Sequence, residues 1–221
     1  MAPQRPRQER AERTRAQIID TAATAFAEHG FDGVSLNELV AGSGLSKGAF
    51  YFHFSSKEEL ALACFRAKQQ EMFARMREVP DSGSNADRIV QSMRRRARLI
   101  EEDPSLRCIS RLGAQFNLQP APGSVYASYL DQAVGNIARL VRDGQRSGEF
   151  RADLDPDAAA RAIFAGAVGM DSLSQVSSAG KDLERRTDEL TELVLHGLLA
   201  TGDRTRRRRE ARKDDGDGHP R

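Results

Sequence analysis

The stretch from Ser35 to Phe54, SLNELVAGSGLSKGAFYFHF, constrains the fold of this chain more than any other part of it. Its pattern predicts two short helices joined by a glycine-containing turn and followed by closely spaced aromatic residues. A helix this short buries too little apolar surface to be stable alone, so neighbouring helices must hold it in place. The stretch therefore predicts a helix-turn-helix arrangement inside a larger helical unit.

Local signals mark where the helices around this stretch begin and end. Gly30 follows an apolar stripe at helical spacing and is placed to end the first helix in a left-handed conformation. Ser35 and Glu38 form a capping-box pattern at the start of the second helix, and Ser46 can cap the third. The run Ser56–Glu59 repeats the capping-box pattern, which predicts a long fourth helix acting as a strut.

The rest of the chain also shows helical periodicity, after a break near Pro80. Asp103 and Asp155 each place an N-cap residue directly before a proline, a pattern typical of a helix start. The helix after Asp155 is apolar on nearly every face from Ala158 to Met170, which predicts burial in a core or at a subunit interface. Since no segment shows sustained period-two alternation, we expect an all-α protein of about nine helices.

These signals predict a small N-terminal three-helix domain and a larger helical bundle. The expected divisions are a flexible basic arm at residues 1–10, a helix-turn-helix domain at 11–60, a ligand-binding and dimerisation body at 61–200, and a disordered charged tail at 201–221.

Composition excludes several classes of protein. The 221 residues carry a net charge of only +2, but arginines are concentrated near both termini.

Cys64 and Cys108 lie far apart in apolar patterns and predict buried free thiols. The longest nearly apolar stretch, Ala162–Met170, is too short to span a bilayer, and no secretory pattern is visible, so a cytoplasmic location is expected. No metal-ligand spacing, nucleophile with its base or phosphate-binding loop appears, so neither a cofactor nor an enzyme is predicted.

The short third helix has the features of a DNA-reading element. Gly48 costs helix stability and makes sense where the backbone must approach another surface. Lys47 can reach a phosphate or a guanine edge, and Tyr51 and His53 can donate to phosphates. Phe50, Phe52 and Phe54 are expected to be mostly core, with at least two of them buried. The predicted DNA contacts are Arg15, Ser35, Ser46, Lys47, Gly48, Ala49, Tyr51, His53 and Lys57.

Three motifs in this region match a known family. They are the A-x-x-x-F-A-x-x-G-F pattern of Ala22–Phe31, the G-L-S-K-G-x-x-Y-x-H-F run of Gly44–Phe54, and the K-E-x-L pattern of Lys57–Leu60. The stretch from Thr14 to about Leu62 resembles the N-terminal domain of TetR-family transcriptional regulators. The resemblance implies an all-α homodimeric repressor that binds palindromic operator DNA through paired N-terminal domains.

Within this family, the aromatic run and the general layout resemble the γ-butyrolactone receptor group of actinobacterial regulators. Such receptors carry a tryptophan in the ligand pocket, in the helix corresponding to Tyr126–Val141, whereas this chain has no tryptophan. Tyr129 falls about where that tryptophan would lie. Either the ligand differs, or the chain is a receptor-like repressor without a butyrolactone ligand.

The body offers candidates for an apolar effector site, since small-molecule sites are mostly apolar with few polar groups. An ordinary core is an equally good reading of any one of these residues. The candidates are Leu99, Leu112, Phe116, Tyr126, Tyr129, Phe164, Val168 and Met170. For the dimer interface we expect the helices around Ala158–Met170 and Leu190–Leu198, by apolar content and by resemblance.

Three functions remain to be compared. The leading one is a repressor released from its operator by a small apolar effector. The second keeps DNA binding without a sensor, as a constitutive repressor or architectural factor. The third, an enzyme with a site inside a helical bundle, lacks any supporting motif.

Overall fold

The computed structural model describes residues 4–77, 82–116 and 125–200. These residues form nine α-helices and one short 3-10 helix, which confirms the predicted all-α fold. The helices are α1 Gln4–His29, α2 Leu36–Gly42, α3 Lys47–His53, α4 Lys57–Met76, α5 Asn85–Glu102, the 3-10 helix Pro104–Arg107, α6 Cys108–Phe116, α7 Val125–Arg146, α8 Pro156–Ser178 and α9 Leu183–Leu198.

The predicted caps of the first helices are confirmed. Gly30 has a φ of +74° and its amide donates to the Phe26 carbonyl, which closes α1. The Ser35 amide donates to the Glu38 carboxylate at 2.7 Å, and the Ser35 hydroxyl accepts from the Glu38 amide at 3.2 Å. Ser46 caps α3 by accepting from the Ala49 amide. Local chemistry therefore fixes the boundaries of α1, α2 and α3.

Two local predictions need correction. The Ser56 hydroxyl accepts from the Glu59 amide as expected, but the Glu59 carboxylate accepts from Ser55 instead of completing a box with Ser56. The chain between Gln4 and residue 10, expected as a flexible arm, belongs to α1. Continuation of the helix satisfies its backbone groups, which an arm would leave to water. The predicted tail at 201–221 lies outside the described residues.

The described residues divide into two compact units. One is drawn from 1–78 and 99–129, the other from 79–98 and 130–221. In the first unit α1 packs on α4, on the 3-10 helix and on α6, and α4 packs on α6. The described residues between 99 and 129 therefore group with the N-terminal helices, whereas the sequence predicts a division at residue 60. The fully buried large side chains of this unit include Ile18, Phe26, Phe50, Phe54, Leu60, Phe65, Leu99, Leu106 and Leu112.

A buried lysine joins three segments of the first unit. The Lys68 ammonium group on α4 lies 3.2 Å from Asp20 of α1, 3.0 Å from Glu71, and 3.7 Å from Asp103, which caps the 3-10 helix. The Lys68 side chain is 7% exposed. Burial alone would lower the pKa of Lys68, but the hydrogen bonds to Glu71 and Asp20 outweigh it and the pKa is raised. The charge is thus held in place by its partners.

The two cysteines are free and buried, as predicted. The Cys64 thiol donates to the Ile19 carbonyl at 3.4 Å, between α4 and α1. Burial raises the pKa of Cys64, and raises the pKa of Cys108 to about 12. Both thiols therefore stay protonated at neutral pH and contribute to packing rather than to chemistry.

The second unit has a separate core, formed by apolar residues of α5, α7, α8 and α9. The Glu149 carboxylate accepts from the amides of Asn85 and Ala86, both at 2.9 Å, and so caps the start of α5. The Gln145 amide group donates to the carbonyls of Arg151 and Leu154 and holds the turn before α8.

Helix α8 is not buried on every face within the single chain. Ala160, Ile163 and Ala167 are buried, whereas Ala162 and Ala165 are exposed. The sequence predicts that this helix is buried either in a core or at a subunit interface, and burial in the core is observed for one side of it. The other side remains open in the described chain.

We expect Lys68→Met to lower the free energy of unfolding by about 2 kcal/mol, because it leaves carboxylates of three segments without their shared cation. For a chain of this size that lowers Tm by roughly 4–8 °C. Arg66→Met, an exposed residue of the same helix, should change the unfolding free energy by less than about 0.5 kcal/mol.

The pH dependence of this stabilisation follows from the two shifted groups. Burial alone would raise the pKa of Asp103, but the hydrogen bonds from Ser105 and the charge of Lys68 outweigh it, so the pKa is lowered. Its stabilising contribution is therefore present above the ordinary carboxyl pKa and lost as pH falls through the lowered one. The contribution of Lys68 is present below its ordinary pKa and lost as pH rises through the raised one. Between these two pH limits the difference in Tm between the parent and Lys68→Met should be constant. A difference that vanishes near neutral pH would contradict this account.

Candidate DNA-binding surface and aromatic cluster

Helix α3 is held by one side and open on the other. Phe50 and Phe54 are fully buried, and their rings lie 6.5 Å apart between centroids. Gly48 and Ala49 on the other side are exposed, and so is Lys47 at the start of the helix. The two phenyl groups anchor a helix of seven residues that could not stand alone. The result is a short helix presented to solvent at a fixed position.

Gly48 is not required by the packing of the described chain. A Cβ built on it meets no heavy atom of the described residues within 4 Å, and its φ is not in the left-handed region. Alanine at this position would therefore fit and would favour the helix by about 1 kcal/mol. The open space beside the Gly48 backbone supports the prediction that another molecule comes close there.

Polar and aromatic groups lie around this open side. The Lys47 ammonium group lies 6.0 Å from the centre of the Tyr51 ring, one helical turn away, and Tyr51 is 39% exposed. His53 is half-buried, and its ring meets that of Phe52 edge-on with 5.2 Å between centroids. The predicted contacts Lys47, Gly48, Ala49, Tyr51 and His53 thus share one short helix.

Phe52 differs from its two aromatic neighbours. The prediction that at least two of the three phenylalanines are buried is confirmed, but Phe52 itself is 79% exposed. Phe50 and Phe54 are one helical turn apart and share a face, whereas Phe52 lies halfway between them and points to the opposite side.

Lys57 has an internal role that the sequence did not reveal. Its ammonium group donates to the carbonyls of Phe31 at 2.9 Å and Val34 at 3.0 Å, and lies 4.1 Å from the centre of the Phe31 ring. It therefore holds the turn between α1 and α2. These bonds use two of its three donors, so Lys57 is a structural residue first and a DNA contact second.

Three further predicted contacts also have structural partners. The Arg15 guanidinium group is exposed and lies 4.8 Å above the centre of the Phe54 ring. Ser35 and Ser46 are exposed, and both hydroxyls accept from backbone amides as helix caps. A hydroxyl that accepts in a cap can still donate its own proton outward.

Four aromatic rings meet in the same compact unit. Tyr126 and Tyr129 were predicted from sequence, and the structure adds Phe65 and Phe73 of α4. The Phe65 ring lies 5.8 Å from both tyrosine rings, and the Phe73 ring lies 5.5 Å from that of Tyr129. We call these four residues the aromatic cluster. Burial raises the pKa of Tyr126, so its hydroxyl is neutral at physiological pH.

Gly113 makes room for this cluster. A Cβ on Gly113 would lie 2.2 Å from a carbon of the Tyr126 ring. The glycine therefore lets the Tyr126 ring lie directly against α6. Neither Gly113 nor the two phenylalanines carries a local sequence signal, because their partners are distant along the chain.

The remaining predicted effector residues are spread over both units. Leu99 and Leu112 are buried in the first unit, and Phe164, Val168 and Met170 are half-buried on α8 in the second. The Phe116 side chain lies outside the described residues. Among the predicted effector residues, the ring contacts join Tyr126 to Tyr129, with 6.3 Å between centroids.

The described residues contain neither a candidate metal site nor a candidate membrane span. No group of three or more histidine, cysteine or carboxylate side chains there could hold a metal ion. None of the described helices combines the length and apolar character needed to cross a bilayer.

The anchored short helix, the glycine turn before it and the all-α surroundings define a regulator of the helix-turn-helix class. Residues 18–64 match the model of bacterial regulatory proteins of the tetR family, and residues 114–194 match that of tetracyclin repressor-like C-terminal domains. The chain belongs to the TetR family.

Individual relatives agree with this assignment. The transcriptional repressor AcnR of Corynebacterium efficiens is 33% identical over 145 residues, 64% of this chain and 71% of that protein. The A-factor receptor protein of Streptomyces griseus is 26% identical over 196 residues, 89% of this chain and 67% of that protein. A solved γ-butyrolactone receptor, an ArpA-like protein, has a TM-score of 0.71 and 26% identity, covering 89% of this chain and 94% of its own.

The different surroundings of the two lysines give a matched test. We expect Lys57→Met to lower the free energy of unfolding by about 2 kcal/mol, because the Phe31 and Val34 carbonyls lose a charged donor. Lys47→Met should leave stability within about 0.5 kcal/mol but weaken binding to duplex DNA, with the slope of log K against log salt reduced by about 1. Thermal unfolding and salt-dependent titrations measure both, and equal stability losses would contradict the assignment.

Proposed function

We propose that this protein is a dimeric, sequence-specific transcriptional repressor that a small apolar effector releases from its operator. The observation that carries DNA binding is α3, a short helix fixed by Phe50 and Phe54 and open to solvent along Gly48 and Ala49. Such a helix can enter the major groove while Lys47, Tyr51 and Arg15 meet phosphates. The proposed operator is palindromic, with two half-sites about one helical turn apart.

The proposed dimer interface is an apolar stripe on α8 and α9. Leu173 and Val176 lie one turn apart on α8, and Val176 is 90% exposed. Leu193 on α9 is 69% exposed, and the neighbouring Gly197 has open space beside it within the described chain. Large apolar side chains and small residues along two packed helices are typical of a surface that pairs with a second copy.

The proposed effector site is the aromatic cluster. It combines three rings from the sides of α4 and α7 with Tyr126, whose hydroxyl can orient a polar group of a ligand. The relatives named as A-factor receptor and γ-butyrolactone receptor support a γ-butyrolactone-like effector. A ligand that fits only when rings move would shift the population toward a form with altered α4, and so toward weaker DNA binding.

A receptor-like repressor without a butyrolactone ligand is the second candidate. One observation favours it: the chain has no tryptophan, and Tyr129, near the position where the receptor group carries one, is buried among other rings. On this account the same DNA surface works without release by a butyrolactone.

The dimer proposal can be tested with Val176→Asp combined with Leu193→Asp. Charges on both helices should prevent pairing, because a buried unpaired carboxylate is costly. Light scattering after size-exclusion chromatography should give about 24.4 kDa for this variant and twice that for the parent. Ala152→Asp, in the turn before α8, adds the same charge outside the stripe and should leave the dimer intact. A dimer that survives the double change would exclude this interface.

The absence of tryptophan gives a direct test of the effector site. In Tyr129→Trp the new residue is the sole tryptophan, so its fluorescence reports the cluster alone. Titration with a synthetic long-chain γ-butyrolactone should change the emission saturably and release operator DNA over the same concentration range. Arg139→Trp, an exposed position on the same helix, should show no change. Tight DNA binding by Tyr129→Trp without any change in its tryptophan emission would favour the second candidate.

A further inference from the structure

The open side of α3 contains a continuous apolar strip. Gly48 and Phe52 are four residues apart, and Ala49 and Phe52 three, so all three share one face of the helix. All three are exposed, and Phe52 is 79% exposed. We call this face the α3 strip. Its side chains carry no hydrogen-bond donor or acceptor.

The phenyl group at the end of the strip has a defined orientation. Its ring meets the His53 ring at an interplanar angle of 85°. The helix that bears it cannot rotate, because Phe50 and Phe54 are fully buried on the opposite side. Phe52 is therefore presented at a fixed angle beside two residues that are almost flush with the backbone.

A single exposed phenylalanine needs no explanation on a protein surface. Here, however, the ring is continuous with the proposed DNA-binding surface, and the Lys47 ammonium group lies along the same helix. In the major groove the base edges present mainly hydrogen-bonding groups, and the C5 methyl group of thymine is the apolar group that protrudes from them. An apolar strip without polar groups therefore fits that methyl group better than it fits the donors and acceptors of the other bases.

We propose that the α3 strip reads thymine, with the Phe52 ring in contact with a thymine methyl group of each half-site and Gly48 and Ala49 allowing the close approach. This inference rests on the proposed function, since it needs α3 to lie in the major groove. It adds Phe52 as a specificity-determining residue that the sequence had assigned to the core.

The test uses deoxyuridine, which differs from thymidine only by the missing methyl group. Duplexes are first enriched from a random pool by binding to the parent protein, and each thymine of the enriched sequence is then replaced singly by deoxyuridine. At the contacted position the parent should lose about fourfold in affinity, the effect of one buried methyl group. Phe52→Ala should lose about tenfold on the thymine duplex and should not distinguish thymine from uracil at that position.

Lys47→Met is the matched control on the same helix. It should weaken binding to thymine and uracil duplexes by the same factor, because a phosphate contact carries no information on the base. Because Phe52 is exposed, its replacement should leave the core intact. The parent and Phe52→Ala should therefore have equal Tm values, which thermal unfolding checks.

The outcomes separate the two proposals. Enrichment of a sequence, together with loss of the thymine preference in Phe52→Ala, supports the inference. If Phe52→Ala has no effect, or weakens thymine and uracil duplexes equally at every position, the thymine contact is wrong while DNA binding stands. If no duplex is enriched at low salt, DNA binding itself fails and the inference fails with it.

Discussion

The first compact unit depends on one buried cation, that of Lys68. Its partners Asp20 and Asp103 belong to segments that are far apart in sequence, and if either moved away, the ammonium group of this buried lysine would lose one of its carboxylate partners. The same carboxylate of Asp103 caps the 3-10 helix. The helix-turn-helix elements and the segment that carries Tyr126 are therefore parts of one packed body, joined through α4.

Anchoring and exposure on α3 are two consequences of one periodicity. Because Phe50 and Phe54 occupy one face of α3, the residues of the opposite face are turned toward solvent. Polar side chains would be expected there. Instead Gly48, Ala49 and Phe52 leave that face apolar, with charge confined to Lys47 at its start. If this face enters the major groove as proposed, its specificity would come from shape and methyl contacts rather than from bidentate hydrogen bonds, and phosphate contacts around it would supply most of the affinity.

Local chemistry made much of this predictable. Gly30, Ser35 and Ser46 act through backbone groups within four residues, so the sequence alone was enough to place them. Lys47 and Lys57 are the same type of residue, and only folding shows that the Phe31 and Val34 carbonyls hold Lys57. The aromatic cluster was half predicted for the same reason. Its tyrosines lie on one helix with visible periodicity, whereas the phenylalanines and Gly113 join them through tertiary packing alone.

The packing of the aromatic cluster limits how an effector could act. Tyr129 is buried against Phe65 and Phe73. The Tyr126 ring packs so closely on Gly113 that no space is left for a side chain between them. A ligand can therefore enter among these rings only by displacing at least one of them, and both phenylalanines belong to α4. A ligand shifts the equilibrium between two forms only by the difference in its affinity for them. Here the two forms are the packed cluster and the cluster with displaced rings, so the rings that must move determine the difference in affinity. The helix that Lys68 ties to α1 is also the helix that such a movement would strain first.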